Sequence, residues 1–150
     1  MSDTELRVVY WTDEEYTGQI TATVKSGQFS AQGAAWFDRT HVKGTFLTAL
    51  RAFPLPSVGP PTLAGGFWAE GDPRYQCHLR ITIKPHDSRG TLLVQVDVSS
   101  EVWKTPDADM QNSATVRFRA EYAALDRFVE EFEQVLDGTR DVAILKGITN

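Results

Sequence analysis

Tyr75-Gln-Cys-His-Leu-Arg-Ile-Thr-Ile-Lys84, the turn Pro85-His-Asp-Ser-Arg-Gly90, and Thr91-Leu-Leu-Val-Gln-Val-Asp-Val-Ser99 decide the fold class of this chain. In the first run Tyr75, Cys77, Leu79, Ile81 and Ile83 share one side, while Gln76, His78, Arg80, Thr82 and Lys84 take the other. In the second, Leu92, Val94, Val96 and Val98 alternate with Leu93, Gln95, Asp97 and Ser99. A period of two joined by a short turn predicts an antiparallel hairpin with one buried and one wet face.

The same alternation extends outward. Leu6 to Trp11 reads as a strand ahead of the acidic turn Thr12-Asp13-Glu14-Glu15, and Ile20, Ala22 and Val24 mark a second. Ser26-Gly27 turns into a third, Gln28 to Phe37, where Gly33 signals a bulge or a close approach. Asp38 suits the N-cap of a helix running to about Ala52, with Val42, Phe46, Ala49, Leu50 and Phe53 on one stripe. The stiff segment Pro54 to Pro61 carries the chain across a sheet edge, and Phe67 to Ala69 suggests a short strand. After the hairpin, Ala114, Val116, Phe118 and Ala120 alternate into a strong amphipathic helix. Its apolar stripe runs from Tyr122 to Leu136, Glu130, Glu131, Glu133 and Asp137 take the remaining face, and Gly138 stops it. Val142 to Leu145 reads as a terminal strand.

These elements predict one α+β domain over residues 1–150, in the order β-β-β-α-β-β-β-β-α. The expected architecture is a mostly antiparallel sheet of about six strands with two helices packed on one face. Such helices leave the opposite face open to a partner.

Composition narrows the function. The 150 residues carry a net charge of −5, which disfavours nucleic acid, whose binding is driven by concentrated Lys and Arg. No apolar run approaches the ~20 residues that span a bilayer. One cysteine and a polar, acidic start without a signal pattern point to a reducing cytoplasmic home. Cys77 reads as a small core hydrophobe, and the three histidines lack metal-ligand spacing, so neither a metal nor another cofactor is expected.

The candidate partner-binding residues fall into two groups. The wet face of the sheet presents His78, Arg80, Lys84, Asp97, Arg117 and Arg119, with His78 and Asp97 at a parity that lets them pair. The acidic loops present Asp13, Glu14 and Glu15, then Asp107 and Asp109. Of the four tryptophans most are expected in the core or at sheet edges, with Trp68 and Trp103 as interface anchors. No residues form a catalytic constellation, so no catalytic role is assigned.

The outline from Ile20 to Leu136 resembles a group of small bacterial proteins of unknown function. The matching segments are Thr45-Phe-Leu-Thr-Ala-Leu50, Gly90-Thr-Leu-Leu-Val-Gln-Val96 and Ala124-Leu-Asp-Arg-Phe128. Size and pattern are also similar to immunity proteins of bacterial toxin systems. The resemblance implies a cytosolic, non-enzymatic α+β binding protein whose partner is a cognate toxin, with no family catalytic residues to carry over. Two other readings stand beside it: a small-ligand or enzymatic domain using a cleft between sheet and helices, and a homodimer formed through the open face or an edge strand.

Overall fold

The computed structural model describes residues 4–68, 71–73, 75–102 and 109–148. The first three strands, β1 (Glu5–Trp11), β2 (Thr17–Ser26) and β3 (Phe29–Asp38), form a meander through tight turns. A helix follows in three unbroken pieces: α1 (Arg39–Val42), a π-helical turn (Lys43–Leu47) and α2 (Thr48–Leu50). Then come β4 (Thr62–Phe67), β5 (Gln76–Pro85), β6 (Thr91–Ser99), β7 (Ser113–Glu121), the long helix α3 (Tyr122–Asp137) and β8 (Ala143–Lys146).

The α+β class and the antiparallel pairing are as expected, but the single sheet of about six strands is not. Eight strands form two four-stranded antiparallel sheets, ordered β3-β2-β1-β8 and β4-β5-β6-β7. The reason is area. Each sheet has a fully apolar face, Leu6, Val8, Ile20, Ala22 and Val24 in one and Leu79, Ile81, Val94, Val96 and Val116 in the other. Two helices cannot cover both, so the sheets bury their faces against each other and the helices fill what remains. All these side chains belong to one continuous core with Phe46, Phe128 and Phe132 of the helices.

β3 approaches all four strands of the second sheet, so it must run steeply across them. Gly33 makes this possible: a Cβ there would meet Val98 at 2.6 Å and the His78 carbonyl oxygen at 3.1 Å. β3 keeps an unbroken register with β2 through Gly33, so the glycine marks a close approach and not a bulge. On the opposite side the sheets are stitched by backbone. The chain leaving β8 donates from the Gly147 N–H to the Thr4 carbonyl (2.8 Å) and from the Ile148 N–H to the Arg119 carbonyl (2.7 Å).

The Asp38 carboxylate caps the first helix, accepting from the His41 N–H at 3.0 Å. The π turn inserts one residue into the helical repeat, which turns both Phe46 and Leu47 into the core. The predicted stripe therefore loses Phe53, which lies beyond the helix, exposed, with its ring edge-on to Tyr122 at 4.8 Å. At the end of α3, Gly138 adopts φ 80° and the Thr139 N–H returns to the Gln134 carbonyl at 2.9 Å, the left-handed stop expected from sequence.

Candidate functional site

The two outer sheet faces point to solvent, and Arg80, Lys84, Asp97, Arg117 and Arg119 of the sequence-predicted residues lie on that of the second sheet. On the second sheet the ladder places Arg80, Asp97 and Thr115 in one row, Thr82, Gln95 and Arg117 in the next, and Lys84, Leu93 and Arg119 in a third. Side chains link the first two rows. The Thr115 hydroxyl donates to Asp97 Oδ1 at 2.6 Å. The Gln95 amide donates to Asp97 Oδ2 at 3.1 Å, and Arg117 Nε donates to Gln95 Oε1 at 3.1 Å. Each member is held by the next, and the series ends on Arg117.

His78 does not belong to this face. The register between β4 and β5 slips between Gly65 and Gly66, leaving His78 without a partner in the ladder. This bulge breaks the alternation, and the consecutive residues His78 and Leu79 are both buried. His78 is 2% exposed and therefore cannot pair with Asp97, which sits opposite Arg80 instead. Its Nε2 lies 2.9 Å from Gln76 Oε1, an atom that also accepts from the Val102 N–H at 3.2 Å. Because an amide oxygen only accepts, Nε2 carries the proton. Burial holds the imidazole below its ordinary pKa, opposed by the charge of Glu101.

The same slip corrects Cys77. It is half-buried beside Arg80 and the Tyr75 phenol, not packed in the core. Burial and the hydrogen bond with Cys77 push the Tyr75 hydroxyl up in pKa, against the pull of the Arg80 guanidinium.

On the first sheet the outer face carries the feature that sequence reading missed. Trp11 and Trp36 flank Gln19 in the ladder, and their rings meet across it, edge to face, with centroids 6.0 Å apart. They are 55% and 51% exposed, and Tyr16 nearby in sequence is 59% exposed. Neither Trp is a core residue. Parity was the available signal: Val9 and Trp11 lie on the side opposite Leu6 and Val8, and Trp36 on the side opposite Ala35. An open groove of about 390 Å³, lined by Gln19, Thr21, Gln32 and Glu101 among others, runs beside the pair.

The acidic turn joins this face directly, since Asp13, Glu14 and Glu15 connect Trp11 to Tyr16. The Thr12 hydroxyl fixes the turn, accepting from the Glu14 N–H at 3.0 Å and donating to the Thr17 carbonyl at 2.5 Å. The Thr17 hydroxyl in turn binds the Glu14 carboxylate. All three acids are exposed in the turn that follows Trp11. Asp109 is exposed in a short helical turn elsewhere. Trp103 and Asp107 lie outside the described residues.

No family model, curated protein or solved structure matches the chain. No helix among the described residues is long and apolar enough to cross a membrane. Among those residues no three His, Cys, Asp or Glu side chains are grouped as metal ligands would be.

Proposed function

We propose that this is a non-enzymatic binding protein that docks a basic protein partner on the outer face of its first sheet, and that its specific role is to neutralise a bacterial toxin as an immunity protein. The exposed Trp11–Trp36 pair carries this reading. Large aromatic side chains held rigid on a sheet offer contact area at small entropic cost, and they dominate binding energy where they occur. Water is a poor environment for two indole rings, and both stand about half-exposed on the outer face of the sheet.

Charge selects the partner. Asp13, Glu14 and Glu15 lie in the turn between Trp11 and Tyr16, in a chain whose net charge is −5. Carboxylates at the rim of an interface speed encounter with a basic surface and reject an acidic one. A toxin that acts on nucleic acid has such a surface at its own active site, and covering it abolishes activity.

The test is co-expression with the product of the adjacent upstream gene, followed by calorimetry and a growth-protection assay. A complex that forms with the parent protein and weakens about 30-fold or more when Trp11 and Trp36 are both changed to Ala supports the proposal. Absence of binding and protection, or a double variant that binds as the parent does, removes it.

A further inference from the structure

The outer face of the first sheet changes character along its length. At one end Lys146, Glu5 and Lys25 share a ladder row, and Arg7 stands in the next. Two of these cations already converge on the Glu5 carboxylate, Lys146 Nζ at 2.9 Å and the Arg7 guanidinium. At the other end Trp11, Gln19 and Trp36 form a row, and the row beyond it pairs Thr17 with Asp38. Asp38 therefore shares the face of Trp36, two residues on, and it is exposed. Its Oδ1 caps the following helix at the His41 N–H, and Oδ2 takes no part in that bond. The turn that leaves Trp11 adds the exposed Asp13 and Glu15, and the exposed Glu101 lines the same groove as Gln19.

The aromatic pair sits at this acidic end with its ring planes at 79°. In an edge-to-face pair, the ring that offers its edge keeps both of its own faces clear of its partner. An indole face carries the negative part of the ring quadrupole and attracts a cation held within about 6 Å of the centroid. Gln19 lies between the two tryptophans in the ladder, and no hydrogen bond engages its side chain among the described residues. Its amide oxygen can accept from a donor seated there. A guanidinium suits such a place better than an ammonium group. It is planar, stacks on aromatic faces, is weakly hydrated, and has N–H groups to spare for an amide oxygen and a carboxylate.

Building on the docking role given to this face above, we propose that the Trp11–Trp36 corner receives an arginine side chain of the basic partner, its guanidinium against an indole face and its N–H groups directed to Gln19 and Asp38.

Titration of the full chain with a short peptide alternating glycine and arginine tests this, read from the indole Nε–H signals in NMR spectra. The other arms replace arginine by lysine, or by citrulline, which keeps its shape and lacks its charge. The arginine peptide should bind saturably and shift the Trp11 and Trp36 signals, the lysine peptide should bind more weakly, and the citrulline peptide should not bind detectably. Trp11→Ala with Trp36→Ala leaves every charge in place and should weaken the arginine peptide about fivefold or more. Asp38→Asn keeps the helix cap, since Asn serves there as well as Asp, and should weaken binding less. Circular dichroism of each variant establishes that it is folded. The proposal is overturned if the arginine peptide does not bind, if the folded double Trp variant binds it as the parent does, or if the lysine or citrulline peptide binds equally well. The outcome is separable from the identity of the partner. Should the arginine peptide bind as described while no complex forms with the upstream gene product, the arginine site stands and the toxin falls. Should that complex form while the peptide fails, this site alone is removed.

Discussion

The imidazole of His78 stands edge-on to the phenyl ring of Phe67, with centroids 4.4 Å apart and planes at 88°. Phe67 ends β4 and His78 occupies the bulge of β5, so the contact forms where the two strands lose register. Gly66 permits it: a Cβ there would stand 1.9 Å from the Gln76 carbonyl oxygen. Gln76 then completes the cluster, donating from Nε2 to the Val102 carbonyl at 2.7 Å. A residue placed on the wet face by alternation is thereby enclosed by its own chain.

His78 makes stability fall on mild acidification. Its folded pKa lies below the ordinary 6.5, so below that pH the unfolded chain binds a proton that the folded chain refuses. Stability contributed by the neutral ring is complete above pH 6.5 and declines as pH drops toward the folded value. Urea midpoints measured from neutral pH to about pH 5 should show this slope. The slope in this window should be shallower in His78→Gln; equal slopes in the two proteins would count against the assignment.

Glu5 acts in a lower window. Burial alone would raise its pKa, but the Lys146 ammonium at 2.9 Å and the Arg7 guanidinium outweigh it and hold the carboxyl below 4.5. A depressed carboxylate stabilises above the unfolded pKa, and that contribution is lost as pH falls through the folded one. Glu5→Gln should therefore destabilise the protein at neutral pH and converge with the parent in strong acid. Thermal melts across that range check it.

Gly33→Ala should lower stability by about 1–3 kcal/mol, the usual cost of overpacking. The added methyl would meet the branched end of Val98 at 2.6 Å and, behind it, the rigid backbone of β5. Pairing it with Val98→Ala should restore part of the loss. A neutral Gly33→Ala measured by denaturant unfolding would refute the close crossing of β3 over β5 and β6.

Glu131 was expected to face solvent, yet it fastens β8. Its Oε1 accepts from the Ile144 N–H at 2.9 Å and its Oε2 from Arg140 Nη2 at 3.0 Å. Glu131→Ala leaves a half-buried backbone donor without this acceptor and should cost about 1–3 kcal/mol. Hydrogen exchange at Ile144 should accelerate in the variant more than at amides of β6.

Element by element, local chemistry was legible. Asp38, Gly138 and the alternation of Leu92 to Val98 each specify a backbone state through their own neighbours, and each stands where it was expected. So did the polarity of Arg80, Lys84, Arg117 and Arg119. What the chain did not disclose is how strands on either side of the helix and the proline segment would combine. Nothing local distinguishes a strand added to an old sheet from one that founds a new sheet.

Tertiary structure decided the remainder. Two apolar sheet faces had to be buried, so they closed on each other, and that closure set which outer surfaces remain wet. It also placed Trp11 beside Trp36 and gathered His86, Arg117 and Arg119 around one groove, although these residues are distant in sequence. His78 shows the principle from the other side: a one-residue slip between Gly65 and Gly66 reverses the face on which every preceding side chain falls. Periodicity is a property of neighbours, whereas register is a property of the partner strand.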